Sequence, residues 1–325
     1  MKDILRAGCE LLVENREAIH KNFVWDMEMM SITGSVILTG AGKTADIEKM
    51  KECKAILKKH KGAFSEFRQN METPIICKMS LADDPEKYLM DLTNVYDKLS
   101  KGKIFGSEYL VLTALAICDG KRENRVEDSI AMTKELLKRM SKEHPMLTSD
   151  EDMTFAALLI MKGKSLDEII DETEYCYEYM KKKFTFHGNA VQSLSHVLTL
   201  CEGMPEEKCR RASAIYDALL TRKISYGKDY ELATLGALVN IDMTPEELAD
   251  EIADASEYLK TCKGFGDWSI GTKTRTMFAA LLAAQAYAPV SIAMDASVIG
   301  SSLAMVIAEE ACLMVTMMAC TTSSN

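Results

Sequence analysis

The same kind of helix opening recurs along this chain in steps of forty residues. Pro85-Glu86-Lys87, Pro205-Glu206-Glu207 and Pro245-Glu246-Glu247 begin 120 and then 40 residues apart. The two vacant multiples hold Arg125-Val126-Glu127-Asp128 and Ser165-Leu166-Asp167-Glu168. Each is acidic, which suits the positive end of a helix dipole. Thr244 before Pro245, with Glu247 three residues on, predicts an N-cap, a proline in the first turn and a capping box. Asp84 is placed to cap the helix that begins at Pro85.

The register continues inside these helices. Tyr96, Tyr177, Tyr216 and Tyr258 follow their openings at similar distances, with Ile56 and Leu136 in the corresponding places. Leu89, Leu92, Val95, Tyr96 and Leu99 share one helical face, as do Leu166, Ile169, Ile170, Thr173, Tyr177 and Met180. A ring–glycine marker then follows: Phe105-Gly106, His187-Gly188, Tyr226-Gly227 and Phe265-Gly266. It predicts a ring tucked under a loop and a glycine in a conformation closed to other residues. Between each marker and the next acidic opening lies a shorter, apolar helix, such as Phe155–Met161, Leu235–Val239 or Phe278–Leu282.

The unit is therefore a helical pair of about 40 residues, a period typical of stacked helical repeats. The expected fold is all-α: a curved, solenoid-like array of about five to six such pairs. A closed α/α toroid of the same hairpins is the alternative. The expected organisation is an N-terminal helical cap at 1–44, containing Trp25, Met27, Met29 and Met30, then pairs over 45–290. An apolar C-terminal helix and tail follow at 291–325. Residues 298–320 are long enough to span a membrane, but Glu309 and Glu310 sit inside the run, where each acid costs about 2.5–3.5 kcal/mol. A helix packed on the last apolar helix, 273–287, or at a homo-oligomer contact is expected instead.

Composition narrows the function classes. The chain has 325 residues with 39 Lys+Arg against 49 Asp+Glu, a net charge of −10 that disfavours general phosphate neutralisation, so no nucleic-acid partner is expected. Only 6 Pro and 17 Gly argue against many short strands. The 10 cysteines include no C-x-x-C pair and read as reduced thiols. With no signal-peptide pattern at Met1–Arg6, cytoplasmic residence is expected.

Chemical motifs are sparse. Gly40-Ala41-Gly42-Lys43-Thr44 resembles a phosphate loop, but Ile37 stands where the first glycine must be, so it reads as an inter-helix connection. The five histidines have no metal-ligand spacing; no metal, cofactor or catalytic residue is assigned. One apolar helix departs from its siblings: Asn189, Gln192, Ser193 and His196 form a single polar stripe. In the forty-residue register Gln192 corresponds to Asp152 and Glu72, with Arg68 near the same edge. These seven residues are the candidate ligand-binding row, and a buried hydrogen-bond network is the competing reading. Basic residues close the acidic-opening helices, among them Lys58, Lys101, Lys182 and Lys263. They compensate the helix dipoles and would sum to one basic edge if the helices stack in parallel.

Phe67-Arg68, Phe105-Gly106-Ser107-Glu108-Tyr109-Leu110, Thr148-Ser149-Asp150-Glu151-Asp152, the segment Gly188–His196 and Lys263-Gly264-Phe265-Gly266 together resemble a bacterial family catalogued only as a domain of unknown function. The resemblance spans most of the chain and implies no activity and no catalytic residues. On the residues themselves, the leading expectation is a helical-repeat protein that binds a protein or peptide partner. The alternative is an enzyme or small-molecule sensor with its site around Asn189–His196.

Overall fold

A computed structural model describes residues 1–23, 28–102, 106–120, 126–289 and 298–310, and among them it is all-helical, with no strand. The helices are α1 (Asp3–Asn22), α2 (Glu28–Gly40), α3 (Ile47–His60), α4 (Glu72–Leu81), α5 (Pro85–Ser100), α6 (Glu108–Asp119) and α7 (Val126–Glu143). They continue as α8 (Asp152–Met161), α9 (Leu166–Lys181), α10 (Gly188–Leu200), α11 (Pro205–Thr221), a 3-10 helix (Tyr230–Leu238), α12 (Pro245–Lys260) and α13 (Gly271–Tyr287). Residues 298–310 form a further helix. Trp25, Met27, Phe105, Arg125 and residues 311–320 lie outside the described residues.

The caps read from sequence form as expected. Asp84 accepts a hydrogen bond from Lys87 N at 2.9 Å, and Thr244/Glu247 makes a reciprocal capping box; the acidic opening at Ser165–Glu168 makes a second box of the same kind. Two kinds of helix follow from two kinds of apolar pattern. α5 buries a single stripe, Leu89, Leu92, Val95 and Leu99, so one side of it faces solvent. α8 buries every residue from Asp152 to Ile160, which requires cover on all sides.

The packing supplies that cover. The amphipathic helices form an outer series in which α1, α3, α5, α7, α9, α11 and α12 each touch the next, and α12 returns to α1. The apolar helices form an inner series: α2 on α4, α6 on α8, α8 on α10, α10 on the 3-10 helix, the 3-10 helix on α13, and α13 back on α2. α4 and α6 are joined by the Lys78–Asp119 ion pair at 2.6 Å. The first helical pair therefore meets the last, and the seven helical pairs close into a ring instead of an open array. Closure also changes the place of the N-terminal segment. α1 and α2 are an outer and an inner member of the ring, seated on α12 and α13, not a cap outside it. The backbone N–H of Lys2 donates to Glu251 of α12 at 2.8 Å.

The helix at 298–310 runs along the ring axis. Ile299 lies with Leu200, Ala237 and Ala284, at the C-terminal ends of the inner helices. Lys78 of α4 donates to the Ser301 hydroxyl at 3.1 Å. At the far end Glu309 accepts from Asn70, just before α4, at 3.2 Å, and Glu310 lies with Tyr109 of α6 and Asn189 of α10. Residues 301–309 are all buried. The run Leu303-Ala304-Met305-Val306-Ile307-Ala308 is apolar on every side because every side is buried. The C-terminal helix thus packs inside its own ring and not only on α13. Among the described residues no helix is long and apolar enough to cross a membrane.

Two local expectations change. Leu235–Leu238 is the end of a 3-10 helix, capped by Val239, and not of an α-helix. Nine residues in 3-10 geometry span about 18 Å, where an α-helix of that length spans about 13 Å. The tighter winding makes the shortest inner element longer along its axis. Gly106, Gly188, Gly227 and Gly266 do not have positive φ. A side chain at Gly106 would meet the Glu66 carboxyl and the Tyr96 hydroxyl, and one at Gly227 would meet the Glu231 carboxyl, so those side-chain ends would have to shift.

The tyrosine register has a concrete counterpart. Tyr96 packs edge-on against Phe67 at 4.9 Å between ring centres, and Tyr216 against Phe184 at 5.0 Å. Tyr177 meets His144 at 4.5 Å. In each case a ring from the preceding outer-to-inner connection sits on the tyrosine of the next outer helix.

Candidate functional site

All inner elements point their N-termini to one end of the ring, and the largest cavity described there is about 490 Å³. Three acids line it: Glu151 before α8, Asp229 before the 3-10 helix, and Glu310 of the axial helix. Tyr109, Phe186, His187 and Tyr230 supply ring surface, and Asn189 and Ser193 supply polar groups from α10. No lysine or arginine is among these described lining residues. The local reason is common to all of them. Each inner helix must be apolar along its buried length, but its first turn reaches the mouth and is released from that requirement.

The electrostatics follow from crowding acids into a half-dry space. Burial, together with Glu151, Asp152 and Glu231, pushes the Glu310 carboxyl up to about 8. Burial and then Glu108 push Glu309 up to about 7. Glu151 and Glu231 are raised mainly by burial. Inner-helix dipoles work in the opposite direction, since their positive ends favour carboxylates. Asp152 is also raised by burial, to about 7, although the backbone N–H of Ser149 donates to it at 2.8 Å.

The structure brings five of the seven candidate residues together. Asn189 is exposed and Ser193 buried, and both reach the cavity. Gln192 and His196 are 3% and 1% exposed, so they lie behind it. Gln192 Nε2 donates to the Thr148 hydroxyl at 3.3 Å. His196 Nδ1 stands 3.4 Å from Asp152 Oδ1. Burial, followed by the charge of His144, lowers the His196 pKa to about 3, so this pair is a neutral imidazole beside a carboxyl and not an ion pair. Gln192, His196, His144 and Glu174 border a narrow space of about 10 Å³, no larger than one water. Glu72 and Arg68 are elsewhere: Arg68 Nε donates to Glu72 at 3.0 Å, and Lys54 pairs with the same carboxylate at 2.6 Å. That cluster is local: Lys54 of α3 and Arg68 of the following connection both hold the Glu72 carboxylate of α4.

The stripe thus divides between cavity and interior. Sequence reasoning missed Tyr109, Glu151, Phe186, Asp229, Tyr230 and Glu310. The available signal was positional: polar and aromatic residues in or just before the first turn of otherwise apolar helices. Glu310 had no such signal, because its place depends on the axial helix. Among the described residues no group of three or more His, Cys, Asp or Glu is arranged to hold a metal ion.

These features define a class: an all-helical ring of seven pairs, plugged by its own C-terminal helix and open at one mouth. Within that class the chain belongs to the DUF4003 family, a protein of unknown function (DUF4003), whose pattern matches residues 15–311. The chain is similar to the uncharacterized protein YeaA of Bacillus subtilis (strain 168), with 23% identity over 221 residues. That match covers 67% of this chain and 66% of the relative, just under two thirds of its length. No solved structure matches the chain.

Proposed function

We propose that this protein binds a peptide or protein partner that presents a compact cation, an ammonium or guanidinium group, to the acidic mouth. The observation that carries the reading is the lining itself: three carboxyl groups and several ring faces around about 490 Å³, without a described lysine or arginine among them. The volume is within the usual range of ligand sites. A cation gains from carboxylates by charge-assisted hydrogen bonds and from tyrosine and phenylalanine faces by cation–π attraction. It also offsets the burial and, after it, the mutual repulsion that raise Glu310.

The sign of the pH dependence follows. Glu310 ionises as pH rises through about 8, so affinity for a permanent cation should increase from about pH 6 to about pH 9. The test is titration calorimetry with agmatine and with a short Arg-containing peptide, using an uncharged alcohol of similar size as the control. Glu310→Gln and Glu151→Gln should each weaken the cation by about tenfold or more, equivalent to one lost charge-assisted contact of ~1.5–3 kcal/mol. Equal binding of the alcohol, or no binding of either cation at high pH, defeats the reading.

A second reading, an enzyme, has one observation behind it. A carboxyl held near 8, as Glu310 is, suits a general acid at neutral pH. It predicts turnover that Glu310→Gln abolishes, with binding retained.

A further inference from the structure

The rim around the mouth carries a second, separate pattern. Phe64, Met146, Phe186 and Trp268 are 92%, 97%, 95% and 104% exposed. They are the four most exposed large hydrophobic side chains described, and all lie in connections from an outer to an inner helix. Phe64 is between α3 and α4, Met146 between α7 and α8, Phe186 between α9 and α10, and Trp268 between α12 and α13. In a ring with parallel inner helices, all such connections lie at the mouth end. The next most exposed, Met204 at 67%, belongs to the other end. Exposed lysines stand in or beside the same connections, including Lys58, Lys142, Lys182 and Lys263.

We propose that the ring docks by this rim onto an anionic lipid bilayer. The four apolar side chains are separate projections, not one contiguous patch. A protein partner would need a matching pocket for each, whereas a bilayer offers an apolar phase to all of them at one depth. Trp and Phe beside lysine is the pairing that suits the headgroup boundary: rings enter the acyl edge and ammonium groups meet lipid phosphates. Glu66, Glu143, Asp150, Asp229 and Asp267 lie in or beside these connections and oppose the attraction, against the exposed Lys58, Lys59, Lys101, Lys142, Lys182, Lys228 and Lys263. The lysines at the ends of the outer helices outweigh them, and the mouth acids Glu151 and Glu310 are partly withdrawn into the cavity. The docked ring would present its mouth to the headgroup layer. The surface is independent of the cavity reading, because it uses the loop tips alone, apart from Phe186, which also borders the cavity.

The test uses the full chain with Trp25→Phe, which leaves Trp268 as the only tryptophan of the two. It is mixed with phosphatidylcholine vesicles, with or without roughly a third phosphatidylglycerol. Support is sedimentation with the anionic vesicles, a shift of Trp268 emission to shorter wavelength, and weakening with added salt. Phe64→Ser with Trp268→Ser should reduce the bound fraction about tenfold. Lys182→Glu with Lys263→Glu should do the same with the rings intact. The proposal is overturned if anionic vesicles are not bound, or if neutral vesicles are bound equally well. It is also overturned if binding survives both pairs of substitutions and so comes from elsewhere, such as residues 311–325. Rim substitutions that abolish capture of a protein, with vesicles never bound, overturn it as well. Agmatine binding at the mouth is read separately, so the two ideas fail independently.

Discussion

The two ends of the ring are built from the same helices and differ in almost every property. At the mouth, first turns carry acids and rings around about 490 Å³. At the other end Leu200, Ala237, Ala284 and Ile299 close around about 40 Å³. There the Lys162–Glu202 pair at 3.1 Å and two hydrogen bonds between Asn240 and the Glu202 backbone tie loops together. The axial helix accounts for the difference. Its apolar run fills the lower ring and brings Ile299 against apolar helix ends, while its acids arrive where the inner helices become polar. A site is left at the mouth because the plug changes character there.

The strongest way to break this comparison is to damage the plug. Leu303 is buried at 1% exposure in the middle of the axial run. Leu303→Ala should destabilise the protein by about 2–5 kcal/mol, the range for a buried leucine truncation. The readout is a chemical or thermal unfolding midpoint. A change within error would mean that the ring stands without its axis, and that the closed end owes nothing to the plug.

The mouth should be exposed next by pH. Glu309 and Asp152 are pushed up to about 7 and Glu310 to about 8, in each case chiefly by burial. Ordinary carboxyls in an unfolded chain titrate near ~4. The folded pKa values are thus the higher ones, so the folded state holds protons more tightly. Their contribution to stability is fully present below about pH 4 and is lost as pH rises through about 7–8. Glu309→Gln keeps an acceptor for Asn70 and removes one titrating group. It should flatten the fall in midpoint between about pH 5 and about pH 8. An unchanged slope would show that the mouth acids are better solvated than their burial implies.

Much of this was legible in residues and some was not. Asp84 and Thr244 announce their helices because caps are local chemistry. The outer stripe of α5 and the all-round apolarity of α8 announce which helices lie outside and which inside. The apolar run at 303–308 signals complete burial, yet its burial site is set by α1 meeting α12 and α13 across nearly the whole chain, and no local pattern encodes that contact. The candidate row was half legible for the same reason. Asn189 and Ser193 belong to the cavity through their own helix turn, whereas Glu310 arrives from the axis. Glu72 shares the register of Asp152, but Lys54 and Arg68 neutralise it locally. Register predicts place in a repeat, not the charge of the neighbours.

The smallest effect is expected at the closed end, and it sharpens the contrast from the other side. Asn240 joins two connections: its Oδ1 accepts from Glu202 N at 3.0 Å and its Nδ2 donates to Glu202 O at 2.9 Å. Both bonds are exposed, so water replaces them when the amide is removed. Asn240→Ala should therefore cost about 1 kcal/mol, the net value of ordinary hydrogen bonds made against water. The exposed carboxylate of Glu202 adds a pair with Lys162 worth at most ~1 kcal/mol, and that pair survives the substitution. The pH slope of the midpoint should be the same as in the unaltered protein, because no mouth carboxyl is touched. A loss near that of Leu303→Ala would make the loop tie, and not the axial helix, the element that closes this end. A changed pH slope would mean that the two ends are coupled through the axis.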